Sequence, residues 1–455
     1  MISSFIIAPL FILIFDRIFF SRSKLRNVIY WTSLVFFLAQ MVMVIFPVER
    51  FMFCRVDNLS RVSLLSIGLV AFVTVLSSRQ IMKDDSKRRI FISLVLIAVI
   101  GMNAVSTTRD LFSLYVFMEI ASIASFVLIA LNKERDAFEG AFKYVLFSAI
   151  ATVFMLSAIG LILLISGGTS FNSIRDGLRI SSHNFLIYFA LGVFLSGLFI
   201  KGGVAPFHGW VMDAYTAAPA SVSIFLAGIA TKATGVYTLV RFADSVFLLT
   251  APIKSVLLFV SAVSIIMAAI AAFMQDDMKR MLSYSSVSQV GYIIMGLGCG
   301  TPLGITGAMF HFFNHAVFKS LLFINSASLE SRAGTRNMSV LSGMGKKMPV
   351  TALTSLIAGF STAGVPPMAG FWSKLIIITA LWLSGYRVYA FIAALASILT
   401  LGYILKMQRR VFWSRPADKD IQVKGAGFNL VFAETLLAAI IVSVGIFLPF
   451  WLRVR

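Results

Sequence analysis

Fourteen long apolar runs dominate this sequence of 455 residues, and few folds tolerate that pattern. They lie near residues 2–20, 28–47, 60–78, 90–107, 111–131, 141–166, 184–207, 219–243, 253–274, 279–299, 302–329, 349–383, 388–411 and 428–452. Most approach the roughly 20 residues that an α-helix needs to cross the hydrocarbon core of a bilayer. A backbone in lipid must satisfy its own polar groups, so the runs predict helices rather than open sheets. Residue usage agrees: 59% are hydrophobic and only 13% charged, against about 25% charged in soluble domains. The expected fold class is an all-α polytopic membrane protein with about 14 transmembrane helices. No small-residue cleavage site follows the opening run, which therefore reads as the first span. Two cysteines, Cys54 and Cys299, are too few for a disulfide framework or a cysteine-ligated cluster.

The net charge is +20, from 39 Lys and Arg against 19 Asp and Glu. Such a balance invites nucleic-acid binding, and the placement of the charges argues against it. Between the predicted spans, 23 basic residues fall in loops after odd-numbered spans and 11 on the opposite side. Membrane proteins keep Lys and Arg in their cytoplasmic loops, so the bias puts the odd loops inside and both termini outside. Lys279 and Arg280 count among the inside loops, and Arg241 among the outside ones. No aromatic-interleaved basic patch is present, so no nucleic-acid partner is expected; the lipid bilayer is.

Five lysines remain inside apolar runs: Lys143, Lys201, Lys232, Lys319 and Lys374. Each costs roughly 2.5–3.5 kcal/mol at a helix centre on insertion scales, too much in sum to be incidental. Any one lysine can snorkel from a helix end, and Lys143 is best placed to do so. Lys232, thirteen residues into its run, is not. Glu119 is the deep acid of the first half, with Glu434 its only counterpart late in the chain. His311 and His315 are four apart and share a helical face that Lys319 continues. That pair could bind zinc, but no third ligand accompanies it, and a proton relay or a satisfied core contact are the other readings. No nucleotide, flavin, quinone or metal motif is visible, so no cofactor is expected in this chain and any redox chemistry would belong to partners.

Two short patterns recur. Phe142-Lys143-Tyr144-Val145-Leu146-Phe147 matches Phe318-Lys319-Ser320-Leu321-Leu322-Phe323, and Gly203-Val204-Ala205-Pro206 matches Gly364-Val365-Pro366-Pro367. The Gly/Pro segments predict breaks in the seventh and twelfth helices. Matching spans lie five apart, an odd shift that inverts one unit in the membrane. Inverted repeats with interrupted helices point to transport rather than catalysis.

With Phe117-Met118-Glu119, Lys201 before Ala205-Pro206-Phe207-His208-Gly209-Trp210, and Asp213-Ala214-Tyr215, the chain resembles a known family. It is that of the antiporter-like subunits shared by respiratory complex I, Mrp-type sodium/proton antiporters and membrane-bound hydrogenases. Lys232, Asp277 to Gln289, His311 to Lys319 and Gly370-Phe371-Trp372-Ser373-Lys374 continue the resemblance over nearly the whole length. The resemblance implies a three-helix segment over 1–89, inverted five-helix repeats over 90–243 and 253–411, and a last span over 428–455. It also implies that Glu119 and Lys201 form the charge pair of a first half-channel, with Lys232 connecting. His311, His315, Lys319 and Lys374 would carry the second, with Lys143, His208 and Asp213 supporting. Partners would be other membrane subunits, including homologues and a redox module, and the cargo protons or sodium ions. Two departures stand out: Gln289 replaces a histidine of many relatives, and Lys374 replaces a glutamate of some. The chain also stops after its last span, without the lateral helix of the distal complex I member. A stand-alone antiporter and a non-conducting scaffold are the competing functions, and the lysine series argues against the scaffold.

Overall fold

The computed structural model describes residues 4–19, 27–46, 56–180, 184–246, 249–415 and 425–453. The expected basic residues Arg22, Lys24, Arg26, Arg50, Arg55, Lys419, Lys424 and Arg455, with Cys54 and both termini, lie outside the described residues. Among the described residues the apolar runs are helical, apart from the breaks at 203–208 and 364–368. In chain order the helices are α1 (Ser4–Phe19), α2 (Val28–Ile45), α3 (Asn58–Ile81), α4 (Asp85–Thr107), α5 (Leu111–Ile129) and α6 (Arg135–Ser166). Then come α7 (Phe171–Ile180), α8 (Asn184–Gly202), α9 (Gly209–Ala217), α10 (Ala220–Ser245), α11 (Ala251–Met274) and α12 (Met278–Gly298). The chain ends with α13 (Pro302–Ala333), α14 (Pro349–Ala363), α15 (Ala369–Leu383), α16 (Arg387–Gln408) and α17 (Phe428–Arg453).

Among the described residues, ten helices are long and apolar enough to cross a membrane, and the protein is an integral membrane protein. The other apolar helices fall short for physical reasons. α14 and α15 are two halves of the run 349–383, each 15 residues long, divided at Gly364 as the Gly/Pro segment predicts. α12 and α13 carry polar side chains, among them Ser283, Ser285, Ser286, Gln289, His311 and His315, that lower their apolarity. α7 was not anticipated, because ten residues with two arginines and an aspartate give no span signal.

The helices group into two packed units, one built from Met1–Phe72, Asp84–Ala217 and Ile229–Ala251, the other from Val73–Lys83, Ala218–Gly228 and Pro252–Arg455. Each unit contains the same internal pattern. In the first, Asp110 caps α5 by accepting from the Ser113 amide at 2.7 Å, and the backbones at Asp110 and Ser170 pair. In the second, Asp277 caps α12 through the Arg280 amide at 2.9 Å, and Asp277 pairs with Asn337. Both members of the second pair lie 167 residues beyond those of the first. α6 and α13 are each 32 residues long and stop at glycines in the left-handed region, Gly167 and Gly334. Only glycine adopts that conformation freely, and its amide then closes the last turn. This register corrects the sequence match: Lys319 corresponds to Thr152 of α6, not to Lys143.

The breaks are also alike. Gly203, at φ +65°, donates to Ile200 O at 3.1 Å while Val204 donates to Phe199 O at 3.0 Å. Gly364, at φ +83°, donates to Ser361 O at 3.1 Å while Val365 donates to Phe360 O at 2.9 Å. Both are helix ends in which a left-handed glycine lets two successive amides fold back on the last turn.

Asp57, which precedes α3, clamps the end of α10. Arg241 donates to both its oxygens, at 2.5 and 2.8 Å, and Arg109 donates to one at 3.1 Å. Arg241 is thus a buried strut, 1% exposed, rather than the free loop charge that counting by spans implied. Partial burial opposes the charge on Asp57, but the Arg241 and Ser60 hydrogen bonds outweigh it and hold the carboxyl well below its usual range. A depressed carboxyl stabilises the fold fully above the unfolded value, about 4, and loses that contribution as pH falls below it. Asp57→Asn is therefore expected to lower the thermal midpoint at pH 7, with the gap to wild type narrowing below about pH 4. A scanning-fluorimetry pH series checks it; an equal gap at every pH would mean that the charge is not what counts.

Candidate ion-translocation site

α8 delivers Lys201 to its break, where the side chain is 1% exposed. Its ammonium donates to Glu119 Oε1 of α5 at 2.9 Å, to Ser122 Oγ at 3.1 Å and to Ser148 Oγ of α6 at 2.6 Å. Thr152 donates to the same Glu119 oxygen at 2.7 Å. An ammonium has three protons to give, and here each finds an oxygen. Glu119 is not wholly enclosed: its side chain is 21% exposed. The pair predicted from the sequence is therefore formed, with a hydroxyl cradle that the apolar neighbourhood of Glu119 in the sequence did not reveal.

Below the break, Trp210 donates to Ile200 O at 3.1 Å and stacks on Tyr144 with ring centres 4.1 Å apart. His208 sits half-buried in the connection between α8 and α9. Lys143 does not belong to the buried series. Near the start of α6 it bridges Asp213 at 2.7 Å and Glu139 at 2.6 Å with its side chain 37% exposed. Its ammonium is partly exposed and sits between two carboxylates rather than in the apolar interior, as snorkelling from a helix end predicts.

Lys232 occupies a distorted stretch of α10, with π-helical turns at Leu226–Ala230 and Lys232–Val236. Such turns are rare, concentrate at functional sites and spoil the regular hydrogen-bond ladder. Lys232 is 2% exposed. Its ammonium donates to Tyr215 Oη at 2.9 Å and lies 4.9 Å from that ring's centre, and Tyr215 in turn shares a 2.6 Å hydrogen bond with Thr231. Among the described residues no carboxylate pairs with it. Gly235 brings this stretch against the end of α8: a Cβ there would lie 2.5 Å from the Gly202 nitrogen.

In the second unit, His311, His315 and Lys319 project from α13 and all are fully buried. Lys319 donates to Ser285 Oγ of α12 and to Leu282 O. Ser285 gives its own hydrogen to Leu282 O, so a lone pair remains for the ammonium. His315 Nε2 meets Ser286 Oγ at 3.1 Å. His311 Nδ1 meets Ser373 Oγ of α15 at 2.9 Å, and that hydroxyl donates to Gly370 O. This network puts the imidazole hydrogen on Nδ1 and a lone pair on Nε2. Nε2 has no hydrogen-bond partner among the described residues. Lys374 donates to Ala363 O at 3.4 Å, a carbonyl freed by the break after α14, and lies 4.2 Å from the centre of the Tyr292 ring. Both Lys319 and Lys374 are within electrostatic reach of His311.

The Gln289 amide and the Tyr403 hydroxyl face one another without a hydrogen bond of normal length and angle. No group of three or more His, Cys, Asp or Glu able to hold a metal occurs among the described residues, and His311 and His315 each engage a serine.

Sequence reading missed several partners. Ser122, Ser148, Thr152, Tyr215, Ser285 and Ser373 are unremarkable residue types, yet they hold the titratable groups; the hydroxyl-dense run 283–288 was the one visible signal. Lys279 is a second miss. Counted as a loop charge, it is 2% exposed and donates to Ala218 O at 2.8 Å, because α12 begins at Met278 beneath packed neighbours.

A family described as "NADH:quinone oxidoreductase/Mrp antiporter, TM" matches residues 108–400, which contain every group from Glu119 to Lys374 described above. The chain is 32% identical over 360 residues to NADH-quinone oxidoreductase subunit N of Desulforudis audaxviator, covering 77% of this chain and 72% of that one. It is 27% identical over 390 residues to a Na(+)/H(+) antiporter subunit of Alkalihalophilus pseudofirmus, covering 86% and 79%. Its fold resembles a chain of the Mrp complex from Dietzia sp. DQ12-45-1b, with a TM-score of 0.89 at 21% identity over 98% of this chain and 94% of that one. Charged pair, interrupted helices and matching family together place this chain in the NADH:quinone oxidoreductase/Mrp antiporter transmembrane family.

Proposed function

We propose that this chain is the antiporter-like, ion-translocating subunit of a larger membrane complex. The observation that carries the reading is the Glu119–Lys201 pair, held at 2.9 Å beside a helix break. An intramembrane ion pair is costly to keep and is retained where it moves charge. When the pair is closed, the carboxylate and the ammonium neutralise one another. When it opens, the ammonium keeps only Ser122 and Ser148 and can pass its proton on. Lys232 has a hydroxyl rather than a carboxylate beside it, so a proton held there is held without a counter-charge. The imidazole of His311 lies near two lysines in the second unit and offers an unshared lone pair to a water-borne proton. In this reading the cargo is protons, or sodium exchanged for them, and the loops rich in Lys and Arg face the cytoplasm with both ends of the chain opposite. No cofactor binds here; the energy arrives through partner subunits, a redox module or homologous antiporter-like chains.

Gentle extraction is expected to recover the chain in an assembly several times heavier than its own 49.9 kDa, with further membrane subunits identified by mass spectrometry. A fully active isolated monomer would favour the stand-alone antiporter instead.

A further inference from the structure

Glu434 plays no part in the path described above, yet it is fully buried. It sits in the second turn of α17. Ser328 of α13 donates to its Oε1 at 2.6 Å, and Thr351 of α14 donates to its Oε2 at 3.0 Å, with a longer 3.3 Å contact to Oε1. Asn325 and Thr354 face the same carboxyl. Among the described residues no Lys, Arg or His pairs with it.

The hydrogens around this group can be traced. Thr354 gives its hydrogen to backbone carbonyls, at 3.0 Å to Val350 O and 3.3 Å to Thr351 O. It can therefore only accept from Asn325 Nδ2, which lies 2.9 Å away. That fixes the amide orientation and leaves Asn325 Oδ1 as an acceptor, buried and without a partner. Ser328 and Thr351 each have one hydrogen, and both are spent on the carboxyl oxygens. When the carboxyl is ionised, the cluster holds one negative charge and one orphaned acceptor among buried residues. Both faults are cured by a single positive charge that binds oxygen.

We propose that Glu434, Asn325, Ser328 and Thr351 form a buried binding site for one sodium ion. The ligands are all hard oxygen atoms: two of a carboxylate, one of an amide and two of hydroxyls whose lone pairs remain available. Hard cations select such ligands. A lone carboxylate balances one charge, which excludes a divalent ion as the fitting guest. Three helices supply the site, so occupancy ties α13, α14 and α17 together. It lies close to helix ends. Ser328 is five residues from the end of α13, Thr351 lies in the first turn of α14, and Glu434 is six residues into α17, so each is within about 9 Å of a helix end.

The role of the site rests on the proposed ion-transport function, but its occupancy does not. Equilibrium binding of ²²Na⁺ to the detergent-solubilised native complex, without turnover, separates the two. Glu434→Gln is expected to bind one sodium ion fewer per chain than wild type at neutral pH. Ser328→Ala, which keeps the charge, is expected to bind about tenfold more weakly, the scale of one lost polar contact. If Glu434→Gln fails to assemble, Ser328→Ala carries the test. Equal stoichiometry and affinity in wild type and variants would overturn the proposal. So would a protonated-carboxyl infrared band, lost in Glu434→Gln, that sodium leaves unchanged in wild type: the guest would then be a proton. Absence of ion flux in the wild-type complex, with sodium binding intact, would instead count against the transport reading alone.

Discussion

Glu119→Gln is expected to leave the complex assembled and to cut ion flux by at least about tenfold, equivalent to roughly 1.4 kcal/mol at the limiting step. Glutamine keeps the shape and can still accept from Thr152, so the packing of α5 against α6 survives. What goes is the negative charge opposite the Lys201 ammonium at 2.9 Å. Ser122 and Ser148 remain within reach at 3.1 and 2.6 Å, and dipoles cannot replace a counter-ion in so buried a site. Opening and closing the contact then no longer shifts charge. Glu119→Asp should retain part of the flux, because the carboxylate is kept but withdrawn by one methylene. Proton or sodium flux in sealed vesicles, normalised to assembled complex, measures both. Wild-type flux in Glu119→Gln would reduce the pair to a structural contact.

A larger loss is expected from the smallest of substitutions. Gly235→Ala places a methyl group 2.5 Å from the Gly202 nitrogen, 2.6 Å from its Cα and 2.9 Å from the Lys201 carbonyl carbon. All three are backbone atoms, so no rotamer change relieves the contact. α8 and α10 must move apart, carrying Lys201 and Lys232 with them. Overpacking of this kind costs about 3 kcal/mol, enough to deplete a marginally stable membrane subunit severely. Complex recovered from membranes should fall to below about a tenth of wild type. Gly192→Ala on α8 is the control, since nothing lies within 4 Å of its added carbon, and it should be recovered normally. Equal recovery of the two variants would refute the close-approach argument.

The helical runs and the two breaks were legible because each rests on a local rule: apolar length for a span, glycine and proline for an interruption. The Glu119 and Lys201 contact was legible only through resemblance, since 82 residues separate the partners in the chain. Other features lay beyond local rules. Lys279 was misplaced because the span edge was drawn where apolarity ended, whereas α12 packs from its first turn. The register of the repeat was misjudged because similar side chains recurred by chance near the true offset, while the Asp and Gly caps that define it are too common singly to stand out in the sequence. The hydroxyl partners escaped because serine in a membrane helix most often bonds its own preceding carbonyl, as Ser125 does to Ala121 O at 2.8 Å.

Those hydroxyls carry a consequence for how the protein can be driven. A serine or threonine oxygen both gives and receives a hydrogen, and a turn about one bond exchanges the two roles. Ser148 and Ser286, which face Lys201 and His315, therefore read the same from either end. A wire made of such links has no polarity of its own and would carry current backwards as readily as forwards. Nothing in these contacts acts as a rectifier. The arrow must be imposed by whatever opens one end before the other, so the same chain can serve a machine that exports ions or one that is powered by their return.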